Sequence, residues 1–238
     1  MPDAGLSAQS SLEEIRQAMQ TAHLHYETMH VVMLDDDILT GATDIHDIWL
    51  SQPLKSFHQT TTIQHLGKDP FELTTVSDGV FTSVYLPEAG ENVLFEANVG
   101  EPPASAGAHV PGDSPVVVPN WFASMVPTVA MLVMPGDFIR IELAYSEASI
   151  VGEDVLLGSP TVILHPRHEL GTGNKLWVDT STGMILRMER IASDGTVAYS
   201  FTITELELDP EIDPALFYVD HSAYDPQRLE ELLKPPTG

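Results

Sequence analysis

Apolar and polar residues alternate most clearly between Lys175 and Leu208. Met184, Leu186 and Met188 alternate with Ile185, Arg187 and Glu189, and Val197, Tyr199, Phe201 and Ile203 alternate with Thr196, Ala198, Ser200, Thr202 and Thr204. A period of two belongs to strands that turn one apolar face to a core. Thr180 to Gly183 and Asp194-Gly195 separate three such strands, and Asp-Gly predicts a type I′ hairpin, in which both central residues take positive φ. After Ile203 the apolar phase moves to Leu206 and Leu208, which predicts a bulge near Thr204-Glu205 and a bend in the sheet. The concave side of such a curved antiparallel sheet is either filled by packed side chains or left partly open as a ligand cavity.

A second period runs near the start of the chain. Ser10 or Ser11, with Glu13 or Glu14 three residues on, makes a capping box. Leu12, Ile15, Met19, Ala22, Tyr26 and Met29 recur at helical spacing, predicting a helix from about Leu12 to Thr28 that serves as a packing helix or as a lid. Residues 1–10 are expected to be a mobile start. Residues 30–99 alternate β-rich runs with the turn-like stretches DDD, TGATD, GKD, SDG and EAGEN. They predict a meander with strands at His30 to Leu34, Asp44 to Leu50, Ser56 to Leu66, Pro70 to Thr75, Gly79 to Leu86 and Val93 to Ala97. Residues 98–115 read as a long connection. Asn120 can cap a Pro-broken apolar helix carrying Trp121, Phe122, Met125, Val129 and Leu132. Strands are expected at Phe138 to Ala144, Asp154 to Leu157 and Thr161 to His165, and a short helix at Asp225 to Leu233 within a 221–238 tail.

Composition narrows the chemistry. A chain of 238 residues that is 43% hydrophobic buries a core without disulfides, and it has no cysteine for thiol catalysis or metal binding. The formal charge of −25 repels nucleic acid and anionic membranes. Residues 114–136 carry no charge, yet Pro115, Pro119, Pro127 and Pro135 argue against a membrane span. MPDAGLSAQSS lacks the basic segment and apolar run of a signal peptide. The histidines, including His23, His25 and His30 and the pair His165 and His168, offer no set of three convergent ligands, so no metal is expected. GxSxG, GxGxxG, GxxxxGKS and HExxH patterns are absent, and Asp35-Asp36-Asp37 reads as a solvated loop. No residue stands out as catalytic, and no cofactor is expected.

Three runs, IWLSQPLKSF from Ile48, VSDGVFTSVYLP from Val76 and LWVDTSTGMILRMERIASDGTVAYSFTITELELDPEIDPALF from Leu176, resemble the LolA/LolB and RseB superfamily of lipoprotein carriers and envelope regulators. Trp49, Pro53, Phe57, Ser77, Asp78, Gly79, Tyr85 and Pro87 carry the match, chiefly as structural residues. The resemblance implies an α+β, mainly β fold over a single domain spanning residues 1–238. Its strongly curved antiparallel sheet forms an unclosed barrel with helices over the concave face. It also implies an extracytoplasmic binding protein without catalysis, whose partner is a lipid or acylated protein or, in an RseB-like alternative, a membrane-anchored protein. Val197, Tyr199, Phe201 and Ile203 are then expected to floor an apolar pocket under Trp121, Phe122, Met125, Val129 and Leu132. Gln52 stands where LolA-type carriers tend to have a basic residue before the Pro, which points away from lipoprotein hand-off and toward a lipid-binding or regulatory relative.

Overall fold

The structure, a computed structural model, describes residues 5–86, 90–96, 147–167 and 172–224. One helix, α1 (Leu12–Gln20), precedes strands β1 (Thr28–Asp37), β2 (Ala42–Ser51), β3 (Ser56–Gln64), β4 (Phe71–Ser77), β5 (Phe81–Leu86) and β6 (Glu91–Glu96). The second group comprises β7 (Glu147–Leu156), β8 (Ser159–Arg167), β9 (Gly173–Asp179), β10 (Ile185–Ile191) and β11 (Val197–Leu208). All eleven form one antiparallel sheet in the order β6-β5-β4-β3-β2-β1-β11-β10-β9-β8-β7. It consists of two meanders joined along β1 and β11. Because β6 and β7 stand at opposite edges, the sheet is not closed into a barrel.

Alternation sets the buried face. Met29, Val31 and Met33 of β1 stand opposite Leu50, Ile48 and His46 of β2, and opposite Leu208, Leu206 and Ile203 of β11. Apart from His46, these residues share a core with Met188, Phe201, Leu176, Leu164 and, from α1, Ile15 and Met19. We call this the inner face. The predicted bulge is present: Val32 pairs with Glu205 and Met33 with Ile203, so Thr204 is the extra residue and the inward phase passes from Ile203 to Leu206.

The helix is shorter than its apolar spacing predicts. The Ser11 hydroxyl accepts from Glu14 N and the Glu14 carboxylate accepts from Ser11 N, completing the capping box. At the other end the Thr21 hydroxyl donates back to the Gln17 and Ala18 carbonyls and the helix stops at Gln20. Ala22–His25 form a 3-10 turn and Met29 is already in β1, yet Ala22, Tyr26 and Met29 remain buried. The expected loop at Asp35, Asp36 and Asp37 is likewise corrected: all three belong to β1, paired on one side with Asp44, Thr43 and Ala42 and on the other with Phe201, Ser200 and Tyr199. Ladder partners on both sides override the local turn propensity of the acidic run.

Two hairpins also differ from expectation. Gly195 has φ +86° while Asp194 does not have positive φ, and Gly195 N donates to Ala192 O, so this turn is not type I′. The Asp194 carboxylate accepts from the N and hydroxyl of Thr196, which holds the aspartate in its ordinary conformation. The hairpin with two positive φ values is instead Leu157 (53°) and Gly158 (80°), between β7 and β8. The expected connection at 98–115, the broken helix after Asn120, the strand at Phe138 to Ala144 and the helix at Asp225 to Leu233 lie outside the described residues.

α1 is seated on the turn between β9 and β10. A Cβ added at Gly183, which has φ +75°, would lie 2.3 Å from Ala18 O and 2.8 Å from Met19 N. Asp179 shapes this turn: its carboxylate accepts from the backbone N and hydroxyl of both Ser181 and Thr182. Residues before the helix are tied down too, since Leu6 N donates to Thr180 O and Ala8 N to a Glu153 carboxylate oxygen. No helix among the described residues is long and apolar enough to cross a membrane.

Candidate functional site

The inner face has two zones. Along β1 the inward residues run Met29, Val31, Met33, Asp35 and Asp37, so the floor changes from apolar to acidic within one strand. β2 repeats the change in register: Leu50 and Ile48 are followed inward by His46 and Asp44. In β3 the same face continues from Phe57 to Gln59 and Thr61, in β4 through Thr75 and Ser77, and in β5 through Thr82; all six are buried.

Hydrogen bonds join the polar zone in two pieces, β11 to β1 and β2 to β3. The Tyr199 hydroxyl donates to Asp35 Oδ2 at 2.8 Å. Burial, then the Asp35 carboxylate, pushes the Tyr199 phenol above its ordinary range, so it stays protonated as a donor. Thr61 Oγ1 lies 2.9 Å from His46 Nδ1, and the Gln59 amide N reaches both Thr61 Oγ1 (2.9 Å) and His46 Nδ1 (3.2 Å). With two donors on Nδ1, the neutral imidazole carries its proton on Nε2, which faces Asp35 Oδ2 at 3.4 Å. Asp35 Oδ1, Asp44 Oδ1, His46 Nε2 and Gln59 Oε1 are buried and make no hydrogen bond.

Thr61, His46 and Asp35 line up a hydroxyl, an imidazole and a carboxylate in the order of a nucleophilic triad. The Gln59 amide, however, donates to the same oxygen that would have to attack, lowering its nucleophilicity. Among the described residues no group of three or more His, Cys, Asp or Glu is arranged to hold a metal ion.

The residues singled out in the sequence fall in several places. Phe201 and Ile203 are fully buried in the core, and half-buried Tyr199 packs on its margin. Val197 is separated from Tyr199 by a second bulge: Tyr199 pairs with Arg190 and Val197 with Ile191, which places Val197 on the opposite face. Trp121, Phe122, Met125, Val129 and Leu132 lie outside the described residues. Trp49 belongs to the outer face, stacked on His30 with ring centroids 3.8 Å apart, and His30 Nε2 meets Asp47 Oδ1 at 3.1 Å. Phe57 is buried on the inner face beside Leu50, and Pro53 is exposed in the β2–β3 turn.

Gln52 has a defined task. Its side-chain amide donates to His23 O (2.8 Å) and Tyr26 O (2.6 Å), fastening the segment after α1 to the β2–β3 turn. The SDG turn is built around Asp78, whose carboxylate accepts from Val80 N and Phe81 N. A Cβ on Gly79 would lie 2.9 Å from Lys55 O. Burial opposes ionisation of Asp78, but the Phe81 N–H, His221 and the Val80 N–H outweigh it and hold the carboxyl below its ordinary value. The His221 ring pairs with Asp78 and packs with Tyr224 against Phe81, anchoring the end of the described chain.

No protein-family model matches the sequence, and no curated protein matches it. Solved structures share the fold. MucB aligns over 88% of this chain and 62% of its own, with a TM-score of 0.52 and 16% identity. An uncharacterized conserved protein from Thermus thermophilus aligns over 90% and 98%, with a TM-score of 0.51 and 11% identity. LprF from Mycobacterium bovis aligns over 86% and 98%, with a TM-score of 0.46 and 13% identity. The chain therefore shares the fold of MucB, an antiparallel sheet that is not closed into a barrel, and spans less than two thirds of the length of MucB.

Proposed function

We propose that this chain is a single-domain, extracytoplasmic binding protein that holds the acyl chains of a lipid or lipoprotein against the inner face of its sheet, under a helical cover, without catalysis. The observation that carries this reading is the make-up of the apolar zone. Met19, Met29, Met33, Met184 and Met188, five of the nine methionines, meet there between α1 and the sheet. Unbranched, polarisable side chains repack around ligands of different shape, and each methylene taken from water contributes about 0.8 kcal/mol. α1 rests on the turn backbone at Gly183 and on the fastening by Gln52, a seat compatible with displacement by a ligand. The remainder of the cover is assigned to the segment of Trp121, Phe122, Met125, Val129 and Leu132, over a floor that includes Phe201 and Ile203.

Native mass spectrometry of the purified protein, followed by displacement of a fluorescent fatty acid from delipidated material, tests the proposal. Expected are co-purifying acyl species and saturable displacement. A delipidated protein that binds no acyl probe would sink it. A second reading, a regulatory module that holds a membrane-anchored protein, draws support from the fold shared with MucB, a protein solved in complex with MucA. Capture of such a partner without lipid, lost at high salt, is its signature.

A further inference from the structure

The methionine core holds a side-chain oxygen that has no partner. Tyr26 is 5% exposed and belongs to the same core as Met19, Met29 and Met33, and its hydroxyl is buried without a hydrogen bond. Among the described residues it is the one buried member of that core whose side chain carries oxygen. Its place is fixed from the backbone: Gln52 donates to Tyr26 O at 2.6 Å, and Ala22 of the 3-10 turn packs in the same core. Tyr199 is the contrast. Its hydroxyl donates to Asp35, whereas the Tyr26 phenol is pushed above its ordinary range by burial alone, with no charge contributing. At neutral pH it is an O–H donor without an acceptor.

Such a phenol loses the hydrogen bonds it makes in water, and phenylalanine would fill the same space without that loss. Water is a poor partner here. A buried water needs about two to four polar partners, and this core offers it one side-chain atom. A ligand has no such requirement, since its apolar remainder packs on the methionines while a single atom meets the hydroxyl. That atom must accept. A carboxylate is disfavoured, because one neutral donor does not offset the desolvation of a full charge, and the formal charge of −25 repels anions. The neutral carbonyl of an ester accepts without carrying a charge into the core.

We propose that the Tyr26 hydroxyl is the subsite for the carbonyl of a bound acyl ester, so that the protein selects esterified chains over free fatty-acid anions. Tyr26 stands just before β1, whose inward residues Met29, Val31 and Met33 continue from it toward Asp35. The carbonyl is thereby held at the apolar end of the floor, with its chain over the methionines. This assignment rests on the acyl-binding reading above and adds to it the chemical form of the ligand and the residue that reads it.

The test uses the full chain, delipidated, and three probes that compete with a fluorescent fatty acid. They are methyl dodecanoate, its carbonyl-free counterpart methyl dodecyl ether, and dodecanoate at about pH 8, where its carboxyl is ionised. The ester should bind about tenfold more tightly than either of the others. Isotope-labelled at its carbonyl, the bound ester should show a C=O stretch shifted to lower frequency, the mark of an accepted hydrogen bond. Tyr26→Phe should abolish both the preference and the shift, leave the affinity for the ether unchanged, and melt no lower than wild type when free of ligand, because the hydroxyl it removes has no partner there. Three results would each overturn the carbonyl subsite and leave the acyl reading standing: wild type that does not favour the ester, a preference or shift that survives in Tyr26→Phe, or a ligand-free Tyr26→Phe that melts clearly below wild type. No binding of any alkyl probe, the fluorescent one included, would remove the acyl reading and this subsite with it.

Discussion

Leu157 holds φ at 53° beside Gly158 at 80°, in a two-residue hairpin where a leucine has no local reason to be. The left-handed region costs a bulky residue on the order of 1 kcal/mol, and asparagine tolerates it better. Leu157→Asn should therefore raise stability by about 1 kcal/mol, seen as a higher urea midpoint with an unchanged slope. A lower midpoint would mean that the exposed leucine contributes packing that outweighs its strain. Gly183 is the opposite case, a position where the sequence suits the geometry. Gly183→Ala would put a methyl group into the backbone of α1 and force positive φ on alanine. We expect a loss of about 2–4 kcal/mol together with release of α1, measured by denaturation and by faster amide exchange at Ile15 and Met19. Unchanged exchange would show that the helix is held from elsewhere. Residues at this scale were partly legible: TSTG announced a turn, whereas nothing in Leu157-Gly158 announced a type I′ hairpin, because leucine is not a residue that favours positive φ.

Between elements, Gln52 does the fastening. Its amide satisfies two carbonyls of the segment after α1, which an apolar or acidic side chain could not do. Gln52→Glu would set a carboxylate against both carbonyls and should cost about 2 kcal/mol, whereas Gln52→Arg, which also donates, should stay close to wild type in thermal melts. Equal losses in both variants would show that the shape of glutamine, rather than its donors, is what matters. β10 and β11 were legible because each turns one apolar face to the core, so the period of two survives in the sequence, bulge included. β7, Glu147–Leu156, is by contrast mostly exposed, and only its end, from Asp154, was expected as a strand. The end of the helix was not legible. Ala22, Tyr26 and Met29 stay buried through a 3-10 turn and the start of β1, so their spacing keeps a helical look after the helix has ended. The acidic run was misread for the converse reason: its strand state comes from partners on β2 and β11, which no local window contains.

At the scale of the molecule, the polar end of the floor was missed although a signal was present. Asp44 and His46 are in phase with Ile48 and Leu50, and Asp35 with Met33 and Val31, so polar residues occupied inward positions in two adjacent strands. Without the register, the contacts of His46 with Gln59 and of Asp35 with Tyr199 could not be seen. pH acts on the outer face as well. Burial holds the His58 imidazole below its ordinary value, with the Asp47 charge opposing, so the unfolded chain binds that proton more readily than the folded one. The contribution is fully present above the unfolded value near 6.5 and is lost as pH falls through the depressed folded value. His58→Gln should accordingly show a smaller drop in melting temperature than wild type between about pH 7.5 and pH 5.5. An equal drop would shift the responsibility to His23, which burial also holds low.

Every ladder among the described strands joins neighbours in sequence except one, that between β1 and β11, where Met29 meets Leu208. The two meanders assemble from local hairpins, but their junction must close most of the chain into a loop before any of its contacts form, and loop closure of that size is slow. Folding speed should therefore be set at this junction. Val31→Ala, on the junction, is expected to slow refolding in stopped-flow measurements, while Leu164→Ala, deep in the second meander, should mainly hasten unfolding. The reverse assignment would mean that a hairpin, rather than the meeting of the two halves, limits how fast this chain reaches its native state.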